Sequence, residues 1–351
     1  MNSKELRVSA SHPINHCMYT LKGIACIGVV IMHCGFSTAI GDMIRYFFKF
    51  AVPVFFMISG YFSWNANSSK VSQKIIKHLI SCIRLLIEIE LFYGIVSLIT
   101  GCLFDGHTLT YWFSQSFPQD IWHFFRILWH GSFFNGTMWF MYAMIWGYVF
   151  LYVINHFQLY RIAYIYSILA LILHVIIRTA WRKYGWAGYD ASLFRNALVY
   201  GLPFLLWGYS FHELESQEKL HIKNPILIAG FFIGIILTIL EYLITKQSLD
   251  IYLGTLLASV SMFLFAILNP DFYGLHSFEW IGQKLSMMVY ALHMFCISMI
   301  EQLYGLFHIT SSSLFTWLKP IFAIVLSLLL ALLWESIKQL FFRKTAKANE
   351  S

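Results

Sequence analysis

Apolar residues fall in long runs of about 17 to 25, the length at which a helix crosses a hydrocarbon layer about 30 Å thick. The runs centre on 19–36, 46–64, 79–102, 138–155, 161–178, 196–212, 225–244, 251–268, 284–304 and 316–335. Ten of them predict an all-α, polytopic integral membrane helix bundle, because a chain crossing lipid must satisfy its own backbone hydrogen bonds. The stretch from Phe104 to Thr137 reads differently. It is rich in aromatic residues and histidine (Tyr111, Trp112, Trp122, His123, Trp129, His130), as expected of an interfacial or re-entrant helix. There is no internal repeat, and the paired broken segments typical of many secondary transporters do not show.

An even number of spans puts both termini on one side. With that side cytoplasmic, thirteen Lys and Arg residues lie in inner segments, eight in outer ones, and Lys22, Lys49 and Arg84 within spans. That is the bias expected of inner loops. The chain is thus predicted to comprise a cytoplasmic segment 1–18, a transmembrane unit 19–337 and a basic cytoplasmic tail 338–351. One outer segment opposes the bias, with Arg178, Arg182, Lys183 and Arg195. Snorkelling to lipid headgroups accounts for it; so does a basic lining for an anionic substrate.

Composition narrows the class. Of 351 residues, 59% are hydrophobic and 12% charged, about half the charge of a soluble domain; mean hydropathy is +0.66. The net charge of +7 belongs to the inner loops and does not argue for nucleic acid. The first apolar run lacks a small-residue cleavage site, so it is expected to be a span, not a signal peptide. The six cysteines form no CxxC pair, and neither a zinc site nor a disulfide framework is expected.

Within this background the ionisable residues inside spans stand out, each costing about 2.5 kcal/mol or more at the bilayer centre. Lys22 and His33 lie eleven residues apart in the first span, three turns plus about 20°, so they share one face about 16 Å apart. A neutral imidazole there can take a proton from a hydroxyl. Lys70, Lys74 and Lys77 form one cationic helical face, which serves either the positive-inside bias or the phosphates of a cytoplasmic cofactor. Arg84 and Glu88, four residues apart, are expected to neutralise each other, leaving Glu90 over. Pro53 and the Ser59–Gly60 pair in the second span permit a kink and close helix approach. In the ninth span Ser286, Tyr290 and His293 form a polar stripe, expected to face the bundle interior or a wet cavity.

These residues carry a resemblance. Lysine, ten residues, then histidine, in Leu21-Lys-Gly-Ile-Ala-Cys-Ile-Gly-Val-Val-Ile-Met-His33, resembles the opening motif of the membrane-bound acyltransferase-3 family. Pro53 to Phe62 resembles its second-span signature of paired phenylalanines followed by Ser-Gly-Tyr. Arg195 to Tyr209 resembles its Arg-led helix, and Gly282 to His293 its late Gly-x-x-Ser-x-x-x-Tyr-x-x-His element. The Pro53–Tyr61 stretch is similar to the subgroup of bacterial O-acetyltransferases of enterobacterial common antigen, capsule and O-antigen. The chain departs from the family at Thr137, where a histidine is usual before Trp139. It also departs in the third span, which has lysines in place of arginines and no proline.

The resemblance implies a multi-pass enzyme of the bacterial cytoplasmic membrane. It would move an acyl group, usually acetyl from acetyl-CoA, to a hydroxyl of a surface glycan or its lipid-linked precursor. In this reading His33 is general base or carries the acyl group as a relay, and Lys22 orients the donor. Lys70, Lys74, Lys77 and Arg84 meet the CoA phosphates. Trp139 offers an aromatic platform for a sugar, Arg195 meets an acidic acceptor, and Ser286, Tyr290 and His293 line the cavity. No metal is required. The competing class is a proton-coupled transporter or flippase using Lys22, His33, Arg84 and Glu88 as a relay. A scaffold explains the apolar bulk but not the aligned Lys22–His33 pair.

Overall fold

The computed structural model describes residues 14–35, 38–131, 133–184, 193–246, 248–307 and 313–348, and these form helices and turns with no strand among them. In chain order the helices are α1 (His16–Cys34), α2 (Ala39–Phe47), α3 (Ala51–Ser63), α4 (Ser68–Ile99), α5 (Leu109–Ser116), α6 (Ile121–His130) and α7 (Trp139–Phe157). Then follow α8 (Tyr160–Tyr184), α9 (Leu202–Ser216), α10 (Asn224–Thr245), α11 (Leu253–Leu268), α12 (His276–Trp280), α13 (Ser286–Leu306) and α14 (Ser313–Ala348). Each of the ten apolar runs falls on helix. Seven helical stretches are long and apolar enough to cross a membrane, and α11 is a shorter apolar helix. The other two runs lie on α4, whose first seventeen residues carry Lys70, Lys74, Lys77 and Arg84, and on α9, which has 15 residues.

Caps set where these helices begin and end. Asn15 precedes α1, its side-chain oxygen accepting the Met18 N–H at 2.7 Å while its amide donates to the Ala266 carbonyl at 3.0 Å. That one residue stabilises the helix start and ties it to α11. The helix stops at Gly35, whose φ of 64° is reached without the strain a side chain would bring. His33 therefore sits in the last turn of α1. The 104–137 segment holds two short helices. The Trp112 indole on α5 donates to Ser97 of α4, and the Trp146 indole of α7 donates to the Leu128 carbonyl of α6. Trp122 of α6 is 79% exposed.

The bundle is apolar outside as well as within. Ile83, Ile87, Leu91 and Ile95 form an exposed stripe on α4, as do Ile226, Ile233, Ile236 and Leu240 on α10, surfaces that lipid can cover and water cannot. Helices approach closely at glycines. A Cβ on Gly208 of α9 would collide with the Met57 carbonyl of α3, and one on Gly60 would collide with the Leu205 carbonyl. The same reciprocal contact joins α1 to the 276–285 stretch through Gly23 and Gly282. Small residues bring backbones close where lipid supplies no hydrophobic drive for association.

One expected pairing is corrected. Glu88 is bound not to Arg84 but to Lys338 of α14 at 2.6 Å, and Arg84 is exposed with no ion pair among the described residues. Helical spacing allows the Arg84–Glu88 contact, but α14 packs its own cation against Glu88. Lys338 is accordingly part of a helix that continues to Ala348. Glu90 also has partners, accepting from the Tyr142 hydroxyl at 3.1 Å and the Phe134 N–H at 3.4 Å.

Gly208→Val is expected to push α9 off α3 and to destabilise the protein by about 1–3 kcal/mol, read as a lower Tm in detergent. Gly305→Ala, where an added methyl meets open space, serves as the control with Tm nearly unchanged.

Candidate functional site

The loops and helix ends on one side of the bundle enclose a polar cavity of about 310 Å³, at the small end of the range for ligand sites. The end of α1 contributes Val29, Met32 and His33. The α2–α3 region contributes Arg45, Lys49 and Val52, and the start of α7 Thr137, Trp139 and Phe140. Arg195 and Tyr200 enter from the segment before α9, Ser248 and Asp250 from the loop between α10 and α11, and Tyr290 from α13. Four of the residues singled out in the sequence thus meet here: His33, Trp139, Arg195 and Tyr290. The His33 ring is open to the cavity. Trp139 stands edge-on to Tyr200, with ring centroids 5.3 Å apart, and the Tyr290 hydroxyl donates to the Thr137 carbonyl.

His293 lies just behind. It is fully buried, and its ring centroid is 5.0 Å from that of His33. Its Nδ1 is bound to the Tyr290 carbonyl, so Nδ1 carries the proton and Nε2 holds the lone pair. That Nε2 is buried without a hydrogen-bond partner among the described residues. Ser286 does not reach the cavity. Its hydroxyl donates to the Gly282 carbonyl at 3.1 Å, and its own carbonyl accepts from Cys26 of α1.

Lys22 lies at the other end of α1, about 16 Å from His33 by helix geometry. Its charge there acts on Cys82 and His78 of α4. The same His78 feels Lys74 and Lys77, so Lys22 and the basic start of α4 form one cationic end. Lys74 donates to the Trp64 carbonyl at 2.8 Å, while Lys70, Lys77 and Arg84 are exposed. In the outer basic segment the side chains of Arg182 and Lys183 lie outside the described residues.

Asp250 organises the cavity floor. One carboxylate oxygen binds Arg195 at 2.7 Å and the other binds Arg178 of α8 at 3.1 Å. Arg178 is 1% exposed and Arg195 43%, so one guanidinium is locked inside and the other fronts the cavity. Burial pushes the Asp250 carboxyl up, but Arg195, Lys49 and Arg178 together outweigh it and hold the group below its ordinary value of 3.8. Arg45 donates to the Met32 carbonyl at 3.2 Å and to Asp42 at 3.3 Å. Sequence reasoning passed over Arg45, Asp250, Tyr200 and Ser248. It noted Lys49 only as an in-span cation, though the cost that drew attention to Lys22 applies equally to Lys49.

Fold and cavity together define a membrane helix bundle with a histidine-bearing polar site at one end. A family model for an acyltransferase domain, that of the acyltransferase-3 family, matches residues 15–334. The chain belongs to that family and is a membrane acyltransferase. No curated protein and no solved structure matches the chain.

Asp250→Asn removes the only carboxylate among the cavity-lining residues and leaves Arg178 buried without it, a loss of about 3 kcal/mol at pH 7. An acid whose folded pKa is depressed stabilises above its unfolded pKa, and loses that contribution as pH falls through the folded value. Denaturation of the purified protein at a series of pH values is therefore expected to show a gap between wild type and variant that is constant down to about pH 4 and closes only below it.

Proposed function

We propose that this acyltransferase moves an acetyl group from cytosolic acetyl-CoA to a hydroxyl of a surface polysaccharide or its lipid-linked precursor. In this reading it acts across the bacterial cytoplasmic membrane, with its N-terminus inside. The observation that carries the proposal is the placement of His33. It ends α1 in a cavity at the face opposite Lys22, exposed to that cavity and backed by a second histidine. Lys22, Lys70, Lys74, Lys77 and Arg84 supply cations for a polyanionic donor at the inner end. Trp139 and Arg195 stand where an acceptor sugar would enter. The Pro53–Tyr61 signature favours the subgroup that modifies enterobacterial common antigen and related glycans.

In the chemical step His33 takes the hydroxyl proton as the acceptor oxygen attacks the thioester carbonyl. The tetrahedral intermediate collapses to the acetyl ester, CoA leaves as the thiolate, and the proton on His33 passes to it. The carbonyls of the last turn of α1 favour the imidazolium formed on the way. His293 acts as a positioning residue. Its ring centroid lies 5.0 Å from that of His33, and its Nε2 has no partner among the described residues. In this reading Nε2 accepts the N–H of the His33 ring once the acceptor is bound, which would leave the other His33 nitrogen bare toward it.

The test is radiolabelled acetyl transfer from acetyl-CoA in membranes holding matched amounts of wild type, His33→Ala and His293→Gln. Label is expected in the glycan or lipid-linked glycan fraction with wild type and to be lost with His33→Ala. His293→Gln should lower turnover by about 10²-fold and shift the pH profile, with little change in the KM for acetyl-CoA. Label retained on wild-type protein but not on His33→Ala would make His33 a nucleophile. Full transfer by His33→Ala would remove it from the chemistry.

A further inference from the structure

The cavity has more positive charge than its own residues neutralise. Its wall carries three basic side chains, Arg45, Lys49 and Arg195, against one carboxylate, Asp250. Both Asp250 oxygens are engaged by arginines, one of them the buried Arg178 behind the wall. Arg45 has Asp42 and a backbone carbonyl. Lys49 is left over. It makes no hydrogen bond and no ion pair among the described residues; its Nζ lies 5.9 Å from the centroid of the Tyr46 ring, and the Asp250 carboxylate, already held by two arginines, acts on it only at a distance.

An ammonium ion in an apolar run is strongly disfavoured unless something answers its charge. Lys319 answers Glu301 at 2.9 Å and Lys338 answers Glu88 at 2.6 Å. Lys49 instead fronts an open space shared with His33. The two sites differ in kind: Lys22 belongs to the opposite end of α1, so the donor does not account for Lys49.

We infer that Lys49, with Arg45 and Arg195 beside it, forms an anion subsite of the acceptor, so that the sugar acylated at His33 carries a carboxylate or phosphate on itself or on its neighbour. The inference rests on the acyltransferase reading of the cavity and narrows it to an acidic glycan. The volume of about 310 Å³ sets the range: a ligand filling such a space brings its acidic group and its reacting hydroxyl within one or two sugar units. Two acidic chemistries fit a lysine equally, a uronic-type carboxylate and a phosphate ester. A carboxylate acceptor would use Arg195 as a second, bidentate partner, whereas a phosphate meets Lys49 as a point charge.

Binding separates this inference from the reaction itself. Purified full-length protein is titrated calorimetrically with methyl glucoside, methyl glucuronoside and glucose phosphate at low salt. Wild type is expected to bind one or both acidic probes at least about tenfold tighter than the neutral one, a preference that weakens as salt rises. Lys49→Met should abolish the preference, and Lys49→Arg should restore most of it. Which acidic probe binds tighter tells carboxylate from phosphate. Equal binding of all three probes, no binding of any, or a preference untouched by Lys49→Met overturns the inference. If Lys49→Met does not fold, Lys49→Gln and Arg45→Gln take its place, with the same loss expected. The readout needs no acyl transfer, so an intact preference with no transfer would sink the enzyme reading alone, and transfer without preference would sink the anion subsite alone.

Discussion

A charge inside a bilayer must be answered within the protein, and in this bundle one carboxylate, Asp250, answers two guanidiniums at once. It sits in the loop between α10 and α11 and holds Arg178 of α8 and Arg195 ahead of α9, while Lys49 ahead of α3 lies within reach of its field. A single buried acid thus joins elements that are distant in the chain. Backbone hydrogen bonds cannot do this, because in lipid each helix must use its own. Glycine crossings such as Gly60–Gly208 bring the helices close. The ionic floor decides which helix ends meet around the cavity.

That floor also divides the molecule by function. The cavity gathers His33, Trp139, Arg195 and Tyr290 at one end, and Lys22 with the basic start of α4 lies at the other. α1 is a rigid element that carries both ends, with Asn15 capping its start and Gly35 closing it two residues past His33. With donor and acceptor on opposite sides of a membrane, as proposed above, the enzyme makes use of such a strut. Behind the His33 imidazole, His293 and the Tyr290 carbonyl stand in a buried layer that holds it in place.

Much of this was legible in the residues. Hydropathy runs located the helices, since spanning length is set by bilayer thickness and not by neighbours. The polar stripe of the ninth span was recognised as inward-facing, and Tyr290 and His293 are both buried beside His33. The third stripe residue, Ser286, shares the helix face but is satisfied by its own Gly282 carbonyl, a local bond that spacing does not reveal. The Arg84–Glu88 pair failed for the converse reason. Proximity along a helix permits an ion pair, but a better-placed cation from α14 took the acid.

What the sequence determined by itself, then, was the set of terms each helix satisfies alone: membrane class, helix positions, the rigid spacing of Lys22 and His33, and family membership through motifs that keep their order. What only the tertiary structure decided was who meets whom across helices. The Asp250 network, the closeness of His33 to His293 and the meeting of Lys49 with Arg45 and Arg195 at one cavity all join residues far apart in the chain. Helical periodicity orders side chains around one axis and says nothing about the rotation of that axis against another. That rotation is set by close packing and by the pairing of buried charges, and both exist only once the bundle has assembled.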